Sequence, residues 1–132
     1  MLYRKISILT DTTKGLMGMH MNNVIHRDVA PRNIYVGKYH QGMIGDIGLA
    51  RILPSSDGKI TTSIEYGLTN EKLGPVRYMA PEAIGRGEYS KATDVFMLAR
   101  AMEELISGRK PFHNINNTVC KDNISIFNFN LI

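Results

Sequence analysis

Apolar residues recur at helical spacing near the start of the chain, within the segment ISILTDTTKGLMGMH. The apolar positions share one face of a helix and are Ile6, Leu9, Leu16 and Met19. This pattern predicts a one-sided helix over about residues 4–21, although Gly15 and Gly18 lower its intrinsic stability. Asn22 and Asn23 are suited to ending it.

A second helical pattern runs from Ser90 to Ser107. Ser90 is a suitable N-terminal cap, and Gly108 directly after the pattern is suited to ending a helix. The apolar side chains of this segment cover more than one helix face and are Val95, Phe96, Leu98, Ala99, Met102, Leu105 and Ile106. We therefore predict that this helix is largely buried.

Short strands are predicted between the two helices. Residues 24–25 indicate a very short strand, and residues 33–36 and 42–44 indicate two strands joined by the turn region GKYHQ. Residues 46–80 are rich in Gly, Ser, Thr and charged residues and have little periodicity, which predicts a long loop. The segment APEAI, with Pro81 near its start, predicts a short helix.

Composition and charge narrow the classes of protein that this sequence can represent. The 132 residues suit one domain, and 43% hydrophobic with 21% charged residues is typical of a globular chain. The net charge of +4 is spread without long basic runs, so nothing indicates nucleic-acid binding. The single cysteine, Cys120, excludes an intrachain disulfide and fits a reducing, cytoplasmic location. No apolar run is long enough for a membrane span, and MLYRKISILT does not resemble a secretory signal.

Polar residues with a chemical use occur in VIHRDVAPRN and in IGDIGLAR. Asp28 stands five residues before Asn33, and Asp46 follows the second predicted strand. A carboxylate and an amide oxygen can hold Mg²⁺, which prefers hard oxygen ligands. A separate carboxylate can orient a hydroxyl group and accept its proton. Together the three residues supply the parts of a phosphoryl-transfer site, although each alone is more typical of a turn or a helix cap.

These motifs resemble those of the protein kinase family. HRDVAPRN is similar to the catalytic loop H-R-D-x-x-x-x-N, DIGLAR to the D-F-G motif and MAPEAI to the A-P-E motif, in the family's order. DVFMLARAMEELISGRKPF resembles the long central helix of the C-terminal lobe and the turn after it. The resemblance covers roughly residues 6–112. It implies an α+β fold that is a fragment of a kinase C-terminal lobe, mainly helical, with a short β-hairpin and a long activation loop. We accordingly divide the chain into a partial kinase domain, residues 1–112, and an atypical Asn-rich tail, residues 113–132.

The resemblance implies a role for each matching residue of the site. Asp28 would orient the substrate hydroxyl group and accept its proton, with Arg32 beside it. Asn33 and Asp46 would hold Mg²⁺ on the phosphates of ATP. Tyr35 would occupy the position where the family usually has a Leu against the adenine, and its ring would either crowd the base or turn aside.

Regulatory and structural roles are implied in the same way. Arg27 would pair with a phosphorylated loop residue, because a guanidinium group suits bidentate phosphate binding. Tyr66 stands where tyrosine kinases often autophosphorylate, with a solvated loop tyrosine as an equal alternative. Asp94 would accept hydrogen bonds from the catalytic-loop backbone, which would account for burying its carboxylate. Structural roles are also expected for three further residues at motif positions, His26, Ile47 and Glu82.

Three features depart from the family pattern. Ile47 replaces the Phe of D-F-G and is expected to pack, with less area than a ring. No G-x-G-x-x-G occurs in the sequence, and we expect the chain to lack the lobe that covers ATP. We also expect later helices of the C-terminal lobe to be absent, which would leave Glu82 without its Arg partner. ATP would then lie on an open, wet surface, and phosphotransfer by the isolated chain is expected to be negligible.

The subgroup pattern is similar to that of tyrosine kinases. Ala30 stands where serine/threonine kinases usually carry Lys, and Arg32 precedes Asn33 as in the tyrosine-kinase pattern A-A-R-N. GPVRYMAPE resembles the pattern P-[VI]-[RK]-W-x-A-P-E, with Tyr78 replacing Trp, in a segment that the family suggests shapes the platform for a substrate tyrosine. We therefore expect a protein substrate that is phosphorylated on Tyr rather than on Ser or Thr.

Three interpretations stay open on the sequence alone. The first is a tyrosine-kinase-like catalytic domain from a longer receptor or cytosolic protein. The second is a kinase-like module without catalysis that binds a second kinase or another regulatory partner. The third is a non-functional gene fragment whose central helix exposes apolar faces.

Overall fold

The computed structural model describes residues 1–54, 58–61 and 76–116. The described part contains three α-helices, which are α1 (Leu2–Met21), α2 (Pro81–Arg86) and α3 (Lys91–Ser107). It also contains six short strands, which are β1 (Val24–Ile25), β2 (Ile34–Val36), β3 (Gly42–Ile44), β4 (Arg51–Ile52), β5 (Lys59–Thr61) and β6 (Glu88–Ser90). Two 3₁₀ turns span Pro31–Asn33 and Ile47–Leu49. This mixture of helices and short strands is an α+β fold.

Helix α1 confirms the first helical pattern and begins two residues before the predicted start, at Leu2. Its buried side chains are Leu9, Thr12 and Leu16, which recur at helical spacing. Gly15 is accommodated because the helix passes close to strand β3, where an added Cβ would lie 3.3 Å from the Cγ2 atom of Ile44.

Helix α3 confirms the second pattern, and its ends are determined locally. The side chain of Ser90 accepts a hydrogen bond from the Thr93 N–H, and the Thr93 hydroxyl group accepts one from the Ser90 N–H, a reciprocal cap. Gly108 ends the helix with a φ of 74°, a left-handed value that favours glycine. The prediction that α3 is largely buried is only partly right, since Val95 and Ile106 are 56% and 50% exposed. These two side chains lie on a helix face that no described element covers.

The strands form three separate antiparallel pairs in the described residues: β1 with β4, β2 with β3, and β5 with β6. Strands β1, β2 and β3 confirm the sequence predictions to within one residue. Strands β4 and β5 and the 3₁₀ turn Ile47–Leu49 lie within residues 46–80, which the sequence predicts as loop. They are missed because strands of two or three residues carry no local period and form only by pairing with distant partners.

The apolar core lies where helices α1 and α3 meet the loop after β1 and the segment around α2. Its buried members are Leu16, Ile25, Val29, Ala30, Leu53, Val76, Tyr78, Met79, Ala80, Ala83, Ile84, Tyr89, Met97 and Leu98. Ile25 and Met97 are completely buried in this cluster, so the strand before the loop and the central turn of α3 both contribute side chains to the core. None of the helices in the described residues combines the length and apolar character needed to cross a membrane.

Gly42 and Gly18 lie in different surroundings, so replacing each with Ala gives a matched stability test. A Cβ added at Gly42 would lie 2.1 Å from the Ile8 carbonyl oxygen and 2.8 Å from the Thr12 hydroxyl oxygen, because β3 packs directly on α1. Gly42→Ala should therefore lower the free energy of unfolding by about 1–3 kcal/mol, measured by urea denaturation. Gly18 lies within α1 and an added Cβ there meets nothing within 4 Å, so Gly18→Ala should raise stability by about 0.5–1 kcal/mol. Equal effects of the two variants would contradict this packing of β3 on α1.

Candidate active site

The loop between β1 and β2, residues 26–33, is fastened to helix α3 by Asp94. This carboxylate is completely buried and accepts the backbone N–H of His26 at 2.7 Å and of Arg27 at 2.8 Å. The Nε2 atom of His20, on α1, lies 2.8 Å from the same carboxylate. A carboxylate is buried at low cost only when donors satisfy its oxygens. Three donors from two elements therefore account for the burial, and they hold the backbone at the start of the loop.

The ring of His26 connects this loop to the residue before Asp46. His26 is completely buried, and its Nδ1 atom accepts the Asp28 N–H at 3.2 Å. Since a backbone N–H can only donate, Nδ1 carries no proton and Nε2 is the N–H of the neutral ring. That group donates to the Gly45 carbonyl oxygen at 2.9 Å. His26 thus links the two segments that carry the acidic residues of the site.

Asp28 is oriented by residues of its own loop. Its Oδ1 atom forms an ion pair with Arg32, and its Oδ2 atom accepts the Asn33 side-chain N–H at 2.8 Å. The same Asn33 amide nitrogen donates to the Asp28 backbone oxygen at 2.7 Å. The Asp28 side chain is 13% exposed, so it reaches the surface with its direction already determined by these donors.

Asn33 and Asp46 are brought together by the pairing of strands β2 and β3. Asn33 is 3% exposed and uses its amide nitrogen twice toward Asp28, which directs its amide oxygen away from those contacts. The Gly45 N–H donates to the Asn33 backbone oxygen at 2.9 Å, one residue before Asp46. Asp46 is exposed, has a left-handed φ of 56° and caps the following 3₁₀ turn through the Gly48 N–H at 3.4 Å. An amide oxygen and an exposed carboxylate fit the hard oxygen ligands that Mg²⁺ takes in proteins.

Tyr35 and Ile47, which lie close in sequence to Asn33 and Asp46, are both largely exposed and do not form a packed apolar surface. Tyr35 is 51% exposed and its ring lies on the backbone of Gly45, where an added Cβ would be 2.6 Å from the Cε2 atom of the ring. The expectation that Ile47 packs is wrong for the described structure, because this side chain is 66% exposed. Ile47 begins the 3₁₀ turn after left-handed Asp46, and that geometry turns its side chain toward solvent.

The family model described as protein tyrosine and serine/threonine kinase matches residues 2–126. The chain belongs to the protein kinase family. The match extends beyond the motif-bearing residues and includes all three described helices. The α+β fold and the order of the catalytic-loop, D-I-G and A-P-E motifs agree with that membership.

Curated kinases of both substrate classes are similar to this chain. The serine/threonine-protein kinase STY17 of Arabidopsis thaliana is 31% identical over 107 residues, which is 81% of this chain and 17% of that protein. Protein-tyrosine kinase 6 of Homo sapiens is 32% identical over 113 residues, 85% of this chain and 23% of that protein. Rhodopsin kinase grk7-b of Danio rerio is 31% identical over 121 residues, 92% of this chain and 20% of that protein. The chain thus spans about a fifth of the length of these relatives.

The remaining kinase-motif residues lie around the site or outside the described residues. Glu82 is half-buried in the first turn of α2, and no ion pair among the described residues includes it. The guanidinium carbon of Arg27 lies 4.5 Å from the ring centroid of Tyr89. Tyr66 and residues 117–132 of the Asn-rich tail fall outside the described residues.

The structure adds a buried contact that the sequence motifs do not indicate. The Tyr78 hydroxyl group donates to the Oε2 atom of Glu104, on α3, at 2.5 Å. Burial raises the pKa of Tyr78, and the Glu104 carboxylate raises it further, so this hydroxyl group stays protonated and donates. Tyr78 stands where tyrosine kinases carry Trp, and it uses its polar end to join the segment before α2 to helix α3.

Arg77 makes further contacts that the sequence motifs do not indicate. Its guanidinium group donates to the carbonyl oxygens of Pro111 at 2.9 Å, Phe112 at 2.6 Å and Ile115 at 2.7 Å. Phe112 has a left-handed φ of 54°, unusual for a bulky residue, and its carbonyl oxygen also accepts the Ile115 N–H at 3.1 Å. Arg77 therefore holds the turn after α3 against the segment before α2. A basic residue inside GPVRYMAPE is the only sequence signal for it, and that signal names no partner.

Proposed function

We propose that this protein is a protein kinase that transfers the terminal phosphoryl group of ATP to a hydroxyl group of a protein substrate. The observation that carries the proposal is the arrangement of Asp28 and Asn33, which are joined by hydrogen bonds on a loop that buried Asp94 holds in place. Phosphoryl transfer depends on positioning and charge stabilisation more than on covalent chemistry. A loop fixed by this many internal hydrogen bonds meets that requirement.

Asp28 is proposed as the residue that orients the substrate hydroxyl group and accepts its proton. Its two oxygens are already directed by Arg32 and Asn33, so a hydroxyl group entering the site would meet an oriented carboxylate. A positioned base of this kind contributes by removing the proton as the new O–P bond forms. Arg32, 47% exposed beside it, would add positive charge next to the incoming phosphoryl group.

Asn33 and Asp46 are proposed to hold Mg²⁺ on the phosphates of ATP. The amide oxygen of Asn33 points away from Asp28, and the exposed Asp46 carboxylate follows the strand that pairs with β2. When bound, Mg²⁺ supplies charge neutralisation for the phosphates. These two residues provide only part of its coordination, since Mg²⁺ usually keeps waters and takes ligands from substrate phosphates. Tyr35, with its ring turned onto Gly45, is proposed to border the adenine position.

Tyrosine is proposed as the preferred substrate residue. The support is the sequence pattern around the loop: Ala30, which is completely buried, leaves no lysine there, and Arg32 stands just before Asn33. The similar curated proteins include kinases named for each substrate class, so the preference rests on this pattern. The measurement that decides it is phosphate incorporation into Tyr peptides and Ser peptides of otherwise identical sequence.

The proposal also assigns each part of the chain to a part of a kinase domain. We propose that residues 1–112 form part of a kinase C-terminal lobe, that residues 46–80 act as the activation loop, and that residues 113–132 are an additional tail. The Arg77 contact with the Ile115 carbonyl oxygen keeps the first tail residues attached to the domain. A cytoplasmic location is proposed with it. Since no G-x-G-x-x-G occurs in the 132 residues, this polypeptide tested alone is expected to transfer negligible phosphate.

The metal site provides the test of the proposed function. Paramagnetic Mn²⁺, used in place of Mg²⁺ with ATP, should broaden the NMR signals of the Asn33 side-chain amide and of the Gly48 N–H. Asp46→Ala should weaken this effect about tenfold or more, because it removes the charged ligand. Glu103→Ala, which removes an exposed carboxylate on α3, is the matched control and should leave the broadening unchanged.

Two results would count against parts of the proposal. Broadening that is the same in Asp46→Ala would show that the metal binds elsewhere, and would favour the second candidate function, a kinase-like module that binds another kinase without catalysis. The exposed Ile47 is the observation that favours that candidate. Binding at an open site is expected to be weak, so Mn²⁺ with ATP should broaden the NMR signals, whereas Mg²⁺-ATP should not raise the melting temperature. A clear rise that Asp46→Ala removes would overturn the expected inactivity of the isolated polypeptide.

A further inference from the structure

Arg27 has an unusual set of contacts for a cation in a packed region. Its backbone has a left-handed φ of 70°, and its Nε atom is buried without a hydrogen-bond partner among the described residues. Its Nη1 atom lies 3.5 Å from the Leu49 carbonyl oxygen, a long distance for a hydrogen bond. The other basic residue of the loop, Arg32, is paired with Asp28, whereas Arg27 forms no ion pair within the described part of the chain. The guanidinium group of Arg27 therefore has donors that this structure does not use.

The ring of Tyr89 is the main contact of that guanidinium group. The Arg27 guanidinium carbon lies 4.5 Å from the ring centroid, within the range of a cation–π contact. Tyr89 itself is 6% exposed, in strand β6, opposite Ile60 of strand β5. Burial raises the pKa of the Tyr89 hydroxyl group, and the nearby Arg27 opposes that rise. Held by the β5–β6 pairing and by the core, the ring is a rigid support for a flexible side chain.

A guanidinium group can contact an aromatic ring and bind an anion at the same time, because the two contacts use different parts of the group. When a guanidinium group stacks on a ring, its flat face contacts the ring and its N–H groups lie in its own plane, at the edge of the contact. Those in-plane N–H groups are the ones that bind a phosphate in a bidentate manner. An aromatic support therefore orders the arginine without occupying the donors that an anion needs, and it reduces the side-chain entropy that binding would otherwise cost.

We infer that Tyr89 is a positioning residue, which holds the guanidinium group of Arg27 ready for a phosphomonoester dianion. This inference rests on the proposed kinase function and on the role that the resemblance implies for Arg27, as the partner of a phosphorylated loop residue, and it adds the residue that orients Arg27. Because Tyr89 pairs with β5, it also connects residues 59–61, within the proposed activation loop 46–80, to Arg27, the residue before Asp28. Pairing of β5 with β6 therefore helps to hold the Tyr89 ring that orients Arg27.

The experiment uses the 132-residue chain and phenyl phosphate as a simple phosphomonoester. The Arg27 Nε–H signal is followed by NMR during the titration, and the dissociation constant is obtained from its shift. Tyr89→Leu should weaken binding roughly fivefold, because it removes the aromatic face that orders the cation. Tyr89→Phe keeps that face and should bind within about twofold of the unchanged protein. Arg27→Met should abolish the saturable shifts of neighbouring backbone amides.

The possible results distinguish the role of Tyr89 from the phosphate-binding role of Arg27. If Tyr89→Leu binds phenyl phosphate as tightly as the unchanged protein while Arg27→Met does not bind it, the role of Tyr89 is overturned and that of Arg27 stands. Binding that Arg27→Met does not alter overturns both. Should Tyr89→Leu fail to fold, the unchanged protein still decides, since a stacked guanidinium group must show ring-current shifts of the Arg27 side-chain protons. Random-coil shifts there would overturn the inference.

Discussion

Asp94→Ala is expected to lower the free energy of unfolding by about 3–5 kcal/mol, the largest single-residue effect that we predict for this chain. The substitution leaves the N–H groups of His26 and Arg27 buried without an acceptor, and it removes the partner of His20. Each buried donor left unsatisfied costs about 1–3 kcal/mol. Urea denaturation followed by far-UV circular dichroism measures the change.

Two further variants identify the cause of that loss. Glu103→Ala removes a 48% exposed carboxylate from the same helix, where its partner is Arg100, and should change stability by less than about 1 kcal/mol. Asp94→Asn keeps the shape of the side chain and one acceptor oxygen, so its loss should lie between those of the two Ala variants. A loss below about 1 kcal/mol for Asp94→Ala would mean that the loop backbone does not depend on this carboxylate.

Arg77→Met is expected to be the second most destabilising substitution, with a loss of about 2–4 kcal/mol. Met keeps much of the apolar stem but removes the donors to Pro111, Phe112 and Ile115, which are charge-assisted hydrogen bonds. Without them, the turn that holds Phe112 in a left-handed conformation loses its main support. Hydrogen exchange at the Ile115 N–H should become faster, since that group donates within the same turn.

The matched control for this substitution is Arg109→Met. Arg109 is exposed, lies two residues after the end of α3, and its side chain makes no hydrogen bond or ion pair with the described residues of the turn that Arg77 holds. Its replacement should change stability by less than about 0.5 kcal/mol and leave exchange at Ile115 unaltered. Similar losses for the two variants would show that positive charge near the turn matters, and that the contacts of Arg77 do not.

Local pattern was sufficient for the elements whose stability is largely local. Helix α3 is an example, because a reciprocal cap at Ser90 and a left-handed Gly108 mark its ends by chemistry that can be read in the sequence. Strands β4 and β5 are the opposite case. Arg51–Ile52 and Lys59–Thr61 are too short to show a period, and each forms only because a partner lies beside it.

The candidate site likewise contains residues that the sequence indicates and contacts that it does not indicate. Asp28, Asn33 and Asp46 could be selected from the sequence because their types and spacing are those of a known motif. The contact of Asp94 with the loop backbone was expected from the same resemblance, whereas the contacts of His20 with Asp94 and of His26 with the Gly45 carbonyl oxygen were not, since each joins separate segments of the chain. The exposure of Ile47 was also beyond the sequence, because it depends on which elements lie above that turn.

The sequence by itself determined the family, the two long helices and the choice of candidate site residues, because each rests on motifs or patterns formed by residues within a few positions of one another. Only the tertiary structure decided that the Tyr89 ring lies against the guanidinium group of Arg27 and that Arg77 binds the turn after α3, across separations of 62 and 34–38 residues. Such contacts arise when packing of the core brings distant segments together. A side chain carries no record of its partner in the residues beside it, and its contacts become visible only once the fold has placed both ends.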